Sequence, residues 1–314
     1  MYDVTAGGRR VAVLAGGDSA ERNVSLASGQ AVTYALTAAG YRAEMFDPAA
    51  IGLYQIDWSR FEVCFIALHG GAGEDGRVQA ELESLGVPFT GSGPAASERA
   101  MSKSATKERF VAAGVPTAEY CVIAGDDGLS AALSWAEATG FPLVVKPDRE
   151  GSSIGVGFAA DAGQLRACVA DAQRFDTVVL VERWIDGREF TVAVLGREPL
   201  PTLEIVTPRG LFDYEAKYES ALTEYRFEHG LPAAAARRLT DAAIAAAESV
   251  DTSGLVRVDV MLDRYCQPWV LEVNTVPGLT DHSLAPKAAE QAGMNMPDLC
   301  RWMIEDALLA EAKR

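Results

Sequence analysis

The sequence has few of the residues that build disulfide frameworks, zinc sites or membrane spans. Its five cysteines are scattered, form no Cys-x-x-Cys pair and do not cluster with any of the three histidines. This pattern argues against a disulfide scaffold or a zinc site and predicts reduced thiols in a cytosolic protein. The sequence also lacks an apolar run of about 18 residues and a signal-peptide layout at its start. We therefore expect a cytoplasmic protein without a membrane partner.

Positive charge is also scarce. Lys and Arg number 28 against 44 Asp and Glu, which gives a net charge of −16. Such a charge repels nucleic acids and anionic membranes, so we expect neither as a partner. A phosphate-rich ligand would need local lysines or metal ions in order to bind. With 314 residues, 49% of them hydrophobic, the chain is long enough for two or three globular domains.

Strand and helix patterns alternate in the first part of the sequence. RRVAVLAGG and FEVCFIALHGG are apolar runs that end in glycines, a helical pattern follows each, and VPFTGSG is a third short strand. This order predicts a parallel, doubly wound sheet with ligand contacts at the carboxyl ends of its strands. After Pro94 the pattern predicts one long helix, AASERAMSKSATKERFVAAG. Changes of pattern divide the chain into three predicted units, 1–97, 98–185 and 186–314. The polar stretch 207–230 is a long loop, and loops of this length are usually functional.

Two neighbouring strand patterns predict a hairpin with polar chemistry on one face. LVRVDVML and PWVLEVNT both alternate, and a turn centred on 265–266 places Asp259 opposite Glu272 and Arg257 opposite Asn274. The other face is predicted to be apolar, formed by Val258, Val260, Leu262, Trp269, Leu271 and Val273. Two carboxylates and an amide oxygen are hard ligands that suit Mg²⁺ or Mn²⁺. The alternative is a solvent-facing strand with an Arg–Asp pair.

Two glycine-containing loops follow apolar strands. KPDREGSSIGVG offers backbone N–H groups and hydroxyls that can fold over phosphates, and Lys146 places a cation beside them. It does not have the Walker A order, and its alternative interpretation is a surface turn. HGGAGEDG places His69 at a strand tip where glycines allow close backbone approach. This motif indicates either a small-molecule site or a structural histidine.

Two further stretches carry candidate ligand groups. VLVERWIDGREF holds Glu182 and Glu189 near strand ends, where carboxylates can hold an adenine amine and ribose hydroxyls. GLFDYEAKYESALTEY, inside the long loop, is either a lid that carries Lys217 and Tyr218 to a ligand or a solvated loop with aromatic anchors. A lid that excludes water protects a reactive intermediate, so the first interpretation predicts such chemistry.

Taken together, these motifs resemble those of the D-alanine–D-alanine ligases, which belong to the ATP-grasp fold family. The resemblance extends from about Val11 to Leu299 and follows the family's order and spacing. It rests on GGDSAERNVSLASG, ALHGGAGEDG, VPFTGSG, VVKPDREGSSIGVG, VERWIDGREFTV, FDYEAKY, RVDVML and LEVNTVPGLTDHSLAPKAA. The resemblance implies an α/β, three-unit ATP-grasp architecture, in which two α+β subdomains follow an N-terminal Rossmann-like parallel sheet.

The resemblance also implies an activity. In this family ATP phosphorylates the carboxylate of one D-alanine, and the amine of a second D-alanine attacks the resulting acyl phosphate. The product is D-alanyl-D-alanine for peptidoglycan precursors, and ADP and phosphate are released. The implied cofactors are ATP and two Mg²⁺ or Mn²⁺ ions, and the implied assembly is a homodimer.

Residue roles follow from the same resemblance. It implies contacts with ATP at Lys103, Lys146, Glu182, Trp184, Ile185, Glu189 and Met261. It implies metal binding at Asp259, Glu272 and Asn274. Catalytic roles fall on Glu21, Ser152, Tyr218, Arg257, Gly278 and Ser283, where Arg257 and the Gly278 N–H stabilise the oxyanion. Substrate contacts fall on His69, Lys217, Ser283 and Leu284, and Glu21 binds the first substrate's ammonium group with help from His69.

The sequence departs from the family pattern at several positions. Asn23 replaces a glutamate, Ser102 replaces an aspartate, Phe89 and Phe212 replace tyrosines, and Asp281 replaces a small hydroxyl residue. The segment TEYRFEHGLPA is also unusual. These departures leave two alternatives open: a ligase of the same mechanism with D-serine, D-lactate or another acceptor, and a nucleotide-binding protein that has lost catalysis. At Asp281 the carboxylate either repels the acceptor's carboxylate or points to solvent.

Overall fold

A three-stranded parallel sheet forms the first part of the protein. The computed structural model describes residues 8–125, 128–207 and 223–312. Strands β1 (Arg10–Leu14), β2 (Arg42–Phe46) and β3 (Val63–Ile66) pair in the order β2-β1-β3. Helix α1 (Arg22–Ala38) connects β1 to β2, and helix α2 (Arg77–Ser84) follows β3. The predicted parallel sheet is therefore confirmed. The predicted strand VPFTGSG forms only one isolated bridge, from Phe89 to Cys64.

Strands β1 and β3 of this sheet are apolar and buried on both faces, whereas β2 is partly exposed. Val11 and Val13 of β1 belong to one apolar cluster, whereas Leu14 belongs to another with Ile66 of β3. Buried parallel strands of this kind are typical of sheets with helices on both faces. The carboxyl ends of β1 and β3 lead directly into the Gly16–Gly17 and His69–Gly71 turns. These turns form one wall of the cleft described below.

The predicted long helix after Pro94 is two helices. Helix α3 (Pro94–Met101) and helix α4 (Lys103–Ala113) meet at Ser102, whose backbone is extended. The Ser102 hydroxyl accepts a hydrogen bond from the Ala105 N–H at 3.2 Å. A serine in this conformation caps the first turn of a helix, so the break is built into the sequence.

A four-stranded antiparallel sheet follows. Its strands β4 (Tyr120–Ala124), β5 (Leu143–Pro147), β6 (Gly157–Ala159) and β7 (Val178–Arg183) pair in the order β4-β7-β5-β6. Helices α5 (Gly128–Thr139) and α6 (Ala162–Ala172) supply apolar side chains to the core cluster of this sheet.

The third sheet is antiparallel and carries the predicted hairpin. Its strands are β8 (Gly187–Leu195), β9 (Glu198–Pro199), β10 (Leu203–Val206), β11 (Glu224–Arg226), β12 (Leu255–Asp263) and β13 (Pro268–Asn274). They pair in the order β11-β10-β8-β12-β13, and β9 pairs with β8. Helix α7 (Ala233–Ser249) packs on its apolar face. Helices α8 (Leu284–Gln291) and α9 (Met296–Glu311) share a core with β1 and α1.

The hairpin has the predicted register near the site and a different register near the turn. Asp259 opposes Glu272 and Arg257 opposes Asn274, as predicted, but a bulge after Asp259 places Val260 opposite Val270. Leu271 is the extra residue. The prediction of an apolar face with Trp269 and Leu271 is therefore wrong, because the bulge turns Val270 into the core instead. Leu271 lines the cleft.

The helices and the cysteines of the described residues bear on two other predictions. No helix in the ranges 8–125, 128–207 and 223–312 has the length and apolar character that a membrane crossing needs. All five cysteines are unpaired, as predicted. The boundaries near 97 and 185 stay predictions, and one apolar cluster joins residues of the first and last predicted units.

Candidate functional site

Two adjoining cavities form one cleft between the three sheets. The first cavity, here called the nucleotide side, and the second, here called the substrate side, share Lys103, Glu150, Gly151 and Glu272 in their walls. The nucleotide side includes the predicted residues Lys103, Lys146, Glu182, Trp184, Ile185, Glu189, Asp259, Met261 and Glu272. The substrate side includes Glu21, His69, Ser152, Arg257, Glu272, Asn274, Gly278, Ser283 and Leu284. The fold thus brings the described candidate residues into one cleft.

Glu182 lies deep on the nucleotide side between two lysines. Its side chain is 2% exposed, and one carboxylate oxygen pairs with Lys107 Nζ at 2.7 Å while the other pairs with Lys146 Nζ. Burial alone would raise the pKa of Glu182, but the two ammonium groups outweigh it and lower this pKa to about 2. Burial also disfavours the charged form of Lys146, yet the carboxylates of Glu182, Glu272 and Glu189 raise the pKa of this lysine. The carboxylate of Glu182 therefore stays ionised.

The remaining nucleotide-side residues come from strand ends and from helix α4. The Trp184 ring packs edge-on against Phe158 with centroids 5.3 Å apart, at the end of β7. Glu189 and Met261 are opposed in the β8–β12 pair. Lys103 donates from Nζ to the Glu150 carbonyl at 2.5 Å. The cavity thus combines aromatic and apolar walls with two lysines, which suits a ligand that has a flat base and phosphates.

The polar face of the hairpin holds Asp259, Glu272 and Asn274, as predicted from the alternation. Arg257 donates to Asp259 from Nε at 3.0 Å and from Nη2 at 2.9 Å, and Thr191 Oγ donates to Asp259 at 2.7 Å. Within the described ranges, no group of three or more His, Cys, Asp or Glu side chains is arranged to hold a metal ion. Two carboxylates and one amide nevertheless offer hard oxygens, which fit Mg²⁺ or Mn²⁺ ions that also keep waters or phosphate oxygens.

Glu21 and Ser152 contact each other across the cleft. Glu21 precedes α1, and Ser152 Oγ donates a hydrogen bond to its carboxylate. Ser152 and Ser153 both have positive φ, 49° and 57°, which is uncommon for residues with a side chain. Strain of this kind is concentrated at functional sites. The loop KPDREGSSIGVG is therefore a shaped wall of the cleft, not an unconstrained surface turn.

His69 connects the N-terminal sheet to the loop that contains Gly278. Its Nδ1 lies 3.1 Å from the Val276 carbonyl oxygen, and its Nε2 lies 2.8 Å from Ser28 Oγ. A carbonyl only accepts, so Nδ1 carries the proton and Nε2 accepts from Ser28. Ser28 Oγ in turn accepts from the Leu279 N–H at 3.2 Å. Both ring nitrogens of His69 are thus engaged with protein groups that position the Gly278 loop.

The same loop shapes the position of Ser283. Thr280 N–H donates to Ser283 Oγ at 3.0 Å, and Ser283 precedes α8. A side chain at Gly278 would put Cβ 2.6 Å from Ser283 Oγ, so it would displace this hydroxyl from its present position. Leu284, the first residue of α8, is 9% exposed and packs with Leu203 and Ile205.

Comparisons with known proteins agree with this geometry. Models described as D-ala D-ala ligase N-terminus and C-terminus match residues 52–92 and 110–305. A D-alanine–D-alanine ligase of Stutzerimonas stutzeri is 48% identical over 301 residues, which are 96% of this chain and 95% of that protein. The chain belongs to the D-alanine–D-alanine ligase family.

Solved structures of family members share the fold. A D-alanine–D-alanine ligase from Bacillus anthracis complexed with ATP matches with a TM-score of 0.85 and 29% identity, over 98% of this chain and 99% of that one. The VanG D-Ala:D-Ser ligase from Enterococcus faecalis matches with a TM-score of 0.83 and 26% identity, over 96% and 99%. The predicted ATP-grasp fold class is confirmed.

The structure explains two departures from the family pattern. Ser102, where the family has aspartate, donates to Asp148 Oδ2 at 2.7 Å, and Asp148 Oδ1 accepts from the Ser104 N–H at 2.7 Å. Asp148, which is 3% exposed, thus supplies a carboxylate at this point. The Asp281 side chain is 86% exposed and lies 3.6 Å from His282 Nε2. It points to solvent, which was one of the two interpretations of Asp281 from the sequence; the other was repulsion of the acceptor's carboxylate.

Some candidate residues lie outside the described ranges, and others were missed. Lys217, Tyr218 and Phe212 fall within 208–222, which the structure does not describe. Sequence reasoning missed Lys107 and Ser28. Lys107 lies one helical turn after Lys103 and therefore shares its face, a signal that was present in the sequence. Ser28 had no such signal, because its partners lie far away along the chain.

Proposed function

We propose that this protein is an enzyme that joins two D-alanine molecules into D-alanyl-D-alanine in an ATP-dependent reaction. ATP is converted to ADP and phosphate, and the dipeptide serves peptidoglycan precursor synthesis. The observation that carries the proposal is near-full-length similarity to curated D-alanine–D-alanine ligases, one of which has 48% sequence identity to this chain. The adjoining nucleotide and substrate sides of the cleft support it, because they allow a phosphate donor to meet an amino-acid carboxylate.

The nucleotide is proposed to bind with its base near Trp184, Ile185 and Met261. Glu182 and Glu189 would accept hydrogen bonds from the base amine and the ribose hydroxyls. Lys103 and Lys146 would bind the phosphates, since both line the nucleotide side, where Lys103 Nζ contacts the Glu150 carbonyl and Lys146 Nζ contacts Glu182. Asp259, Glu272 and Asn274 would hold two Mg²⁺ or Mn²⁺ ions, which when bound neutralise phosphate charge.

The acyl-transfer part of the reaction is assigned to the substrate side. Glu21 would bind the ammonium of the first D-alanine, and Ser152 orients its carboxylate. Arg257 and the Gly278 N–H would donate to the oxyanion that forms when the second amine attacks. Such preorganised donors contribute about 3–4 kcal/mol each to transition-state stabilisation. Ser283 and Leu284 would contact the second substrate. The amine of this substrate is itself the nucleophile, so the protein needs to position it but need not form a covalent intermediate.

Several finer assignments complete the proposal. Lys217 and Tyr218 are proposed to act from a lid, with Lys217 on the second substrate's carboxylate and Tyr218 hydrogen-bonded to Ser152 and Glu21. His69 is proposed to act mainly by holding the Gly278 loop, in addition to its implied contact with substrate. The protein is proposed to work in the cytoplasm as a homodimer, with neither nucleic acid nor membrane as a partner.

The deciding experiment measures phosphate release from ATP by the purified protein. D-Alanine alone should stimulate release, and D-alanyl-D-alanine should accumulate in equal amount. D-Serine and D-lactate, each offered beside D-alanine, should give little mixed product. Release that requires a compound other than D-alanine would favour the different-acceptor alternative. Absence of turnover with every D-amino acid would favour an inactive nucleotide-binding protein.

A further inference from the structure

Lys107 is a buried lysine that the proposed reaction does not use. It belongs to α4, its side chain is 1% exposed, and it is absent from the walls of both cavities. Burying an ammonium group is costly unless partners surround it, so such a residue is rarely accidental. Burial lowers the pKa of Lys107, and the carboxylate of Glu182 opposes that shift.

Three groups from different elements surround the Lys107 ammonium. Nζ lies 2.7 Å from a Glu182 oxygen and 2.6 Å from Thr117 Oγ, and it lies over the Tyr120 ring at 5.5 Å from the centroid. The Thr117 hydroxyl donates its proton to the Val270 carbonyl at 2.8 Å, so its oxygen accepts from Lys107. Lys107 therefore has a fixed position between the second sheet and the β12–β13 hairpin.

Glu182 consequently has one fixed and one displaceable cation. Lys146 is 14% exposed and lines the nucleotide side, so a phosphate group can compete with Glu182 for its ammonium. When Lys146 turns to a phosphate, Glu182 would remain as a buried carboxylate. A buried charge that has lost its partner is strongly destabilising. Lys107 removes that obstacle, because it pairs with the other oxygen of Glu182 and cannot leave.

We propose that Lys107 is a positioning residue that keeps the Glu182 carboxylate fixed and ionised so that Lys146 can bind nucleotide phosphates. The inference rests on the proposed role of Glu182 toward the base. An ionised carboxylate only accepts hydrogen bonds, so it selects a base whose exocyclic group is an amine over one with an oxygen there. Lys107 thus contributes to both nucleotide affinity and the preference for ATP over ITP.

The test compares Lys107→Met with wild type in the full-length protein. The Kd for ATP, measured by calorimetry without D-alanine, should rise at least about 10-fold, as expected when a buried charge loses its partner. The ATP-over-ITP affinity ratio should fall by a similar factor, whereas KM for D-alanine should change less than about 2-fold. Thr117→Val, which removes only the orienting hydroxyl, should give a smaller shift in the same direction. Glu108→Gln, on the exposed side of α4, is the matched control and should leave every value unchanged.

A second comparison separates positioning from simple stabilisation. In a Glu182→Gln background, Lys107→Met should add less than about 2-fold to the loss of ATP affinity, because both changes remove the same interaction. The inference is overturned if Lys107→Met lowers the melting temperature but leaves the ATP affinity and the ATP-over-ITP ratio within about 2-fold of wild type. If Lys107→Met does not fold, Thr117→Val decides by the same two readouts. Because binding is measured without D-alanine, failure of the ligase proposal would appear separately, as absence of D-alanine-dependent phosphate release.

Discussion

Single carboxylates in the cleft are each held by groups from other parts of the chain. Glu21 pairs with Ser152 from the glycine-serine loop, and Asp259 of β12 accepts from Thr191 of β8. Glu182 of β7 pairs with lysines from α4 and β5. Charged groups fixed in this way need little reorganisation when a ligand binds, which is how preorganised sites lower a barrier.

Glu272→Gln tests the proposed metal site on the polar face of the hairpin. The substitution keeps the size and removes one anionic oxygen ligand, so we expect D-alanine-dependent turnover to fall by about 10³-fold, the scale of several kcal/mol of lost charge stabilisation. Thermal unfolding should change little. Glu290→Gln, on the exposed face of α8, serves as the control. Turnover within about 10-fold of wild type would contradict the assignment of Glu272 to the metal.

Ser102→Asp restores the residue that is usual in the family and should nevertheless destabilise this protein. It would place a second carboxylate against the buried Asp148, which now accepts a hydrogen bond from Ser102 at 2.7 Å. Like charges at such a distance cannot both ionise without cost, so we expect a loss of about 2 kcal/mol in urea denaturation.

The double variant Ser102→Asp/Asp148→Ser should recover most of that stability, because one carboxylate and one hydroxyl again face each other. Asp148→Ser alone removes the acceptor of the Ser104 N–H and should also be destabilising. Additive losses in the double variant would show that the two side chains do not interact.

At the scale of elements, the hairpin shows where pattern reasoning succeeds and where it stops. Alternation predicted the Asp259–Glu272 and Arg257–Asn274 pairs because register on one face is fixed by side-chain periodicity. It could not predict the bulge at Leu271, because Val270 and Leu271 are adjacent apolar residues and their sequence does not show which of them faces the core. The helix break at Ser102 was missed although serine is a preferred capping residue.

The bulge predicts opposite consequences for two adjacent residues. Val270→Ala should cost about 2 kcal/mol of unfolding free energy with little effect on KM for ATP, because Val270 is fully buried in the core. Leu271→Ala should cost less than about 1 kcal/mol but raise KM for ATP about 5-fold, because its side chain lines the nucleotide side. Denaturation and steady-state kinetics on both variants check this. The reverse pattern would favour a hairpin without the bulge.

The turn after β2 predicts a pH-dependent contribution to stability. Hydrogen bonds from Arg22 and from the Gly17 and Ala49 N–H groups lower the pKa of Asp47 to about 2, against the opposing effect of burial. The contribution is complete above about pH 5, where the carboxyl is ionised in both the folded and the unfolded state, and it is lost as pH falls toward about 2.

Asp47→Asn should therefore cost about 1 kcal/mol at pH 7, a modest value because solvent screens the partly exposed Arg22. The difference from wild type in urea denaturation should narrow at pH 3. If the difference in unfolding free energy between wild type and Asp47→Asn is the same at every pH, the ionised carboxylate is not its source.

At the scale of the whole molecule, the sequence predicted individual elements but not how they join, and the unit boundaries near 97 and 185 stay predictions. Glycine-terminated apolar runs predicted the parallel sheet, and family motifs predicted which residues meet in the cleft. Periodicity identifies a strand but not its neighbours, so the order β4-β7-β5-β6 could not be predicted. The hydrogen bonds from the Leu279 N–H to Ser28 Oγ and from His69 Nδ1 to the Val276 carbonyl join distant segments and have no local signature.

Ser28→Ala tests whether that connection matters for activity. The substitution leaves the Leu279 N–H and His69 Nε2 without the hydroxyl they share, in a fully buried place. We expect a loss of about 2 kcal/mol in stability and a drop of about 10-fold in kcat, because the Gly278 N–H belongs to the loop that is released. The Kd for ATP should be unchanged. Ser84→Ala, which removes an exposed hydroxyl, is the control. An unchanged kcat in Ser28→Ala would show that the hydrogen bonds of Ser28 do not contribute to catalysis.

The apolar cluster shared by β1, α1 and α9 has a consequence for how the chain is made. Val32 and Leu36 of α1 pack with Met303 and Ile304 of α9, which the ribosome adds much later than α1. Until α9 has emerged, these early side chains lack the partners they have in the finished protein. A nascent chain therefore exposes this apolar surface until α9 has been added, and exposed apolar surface makes a partly folded chain prone to aggregation. Expression of this protein should accordingly depend on chaperone supply more than its final stability would suggest.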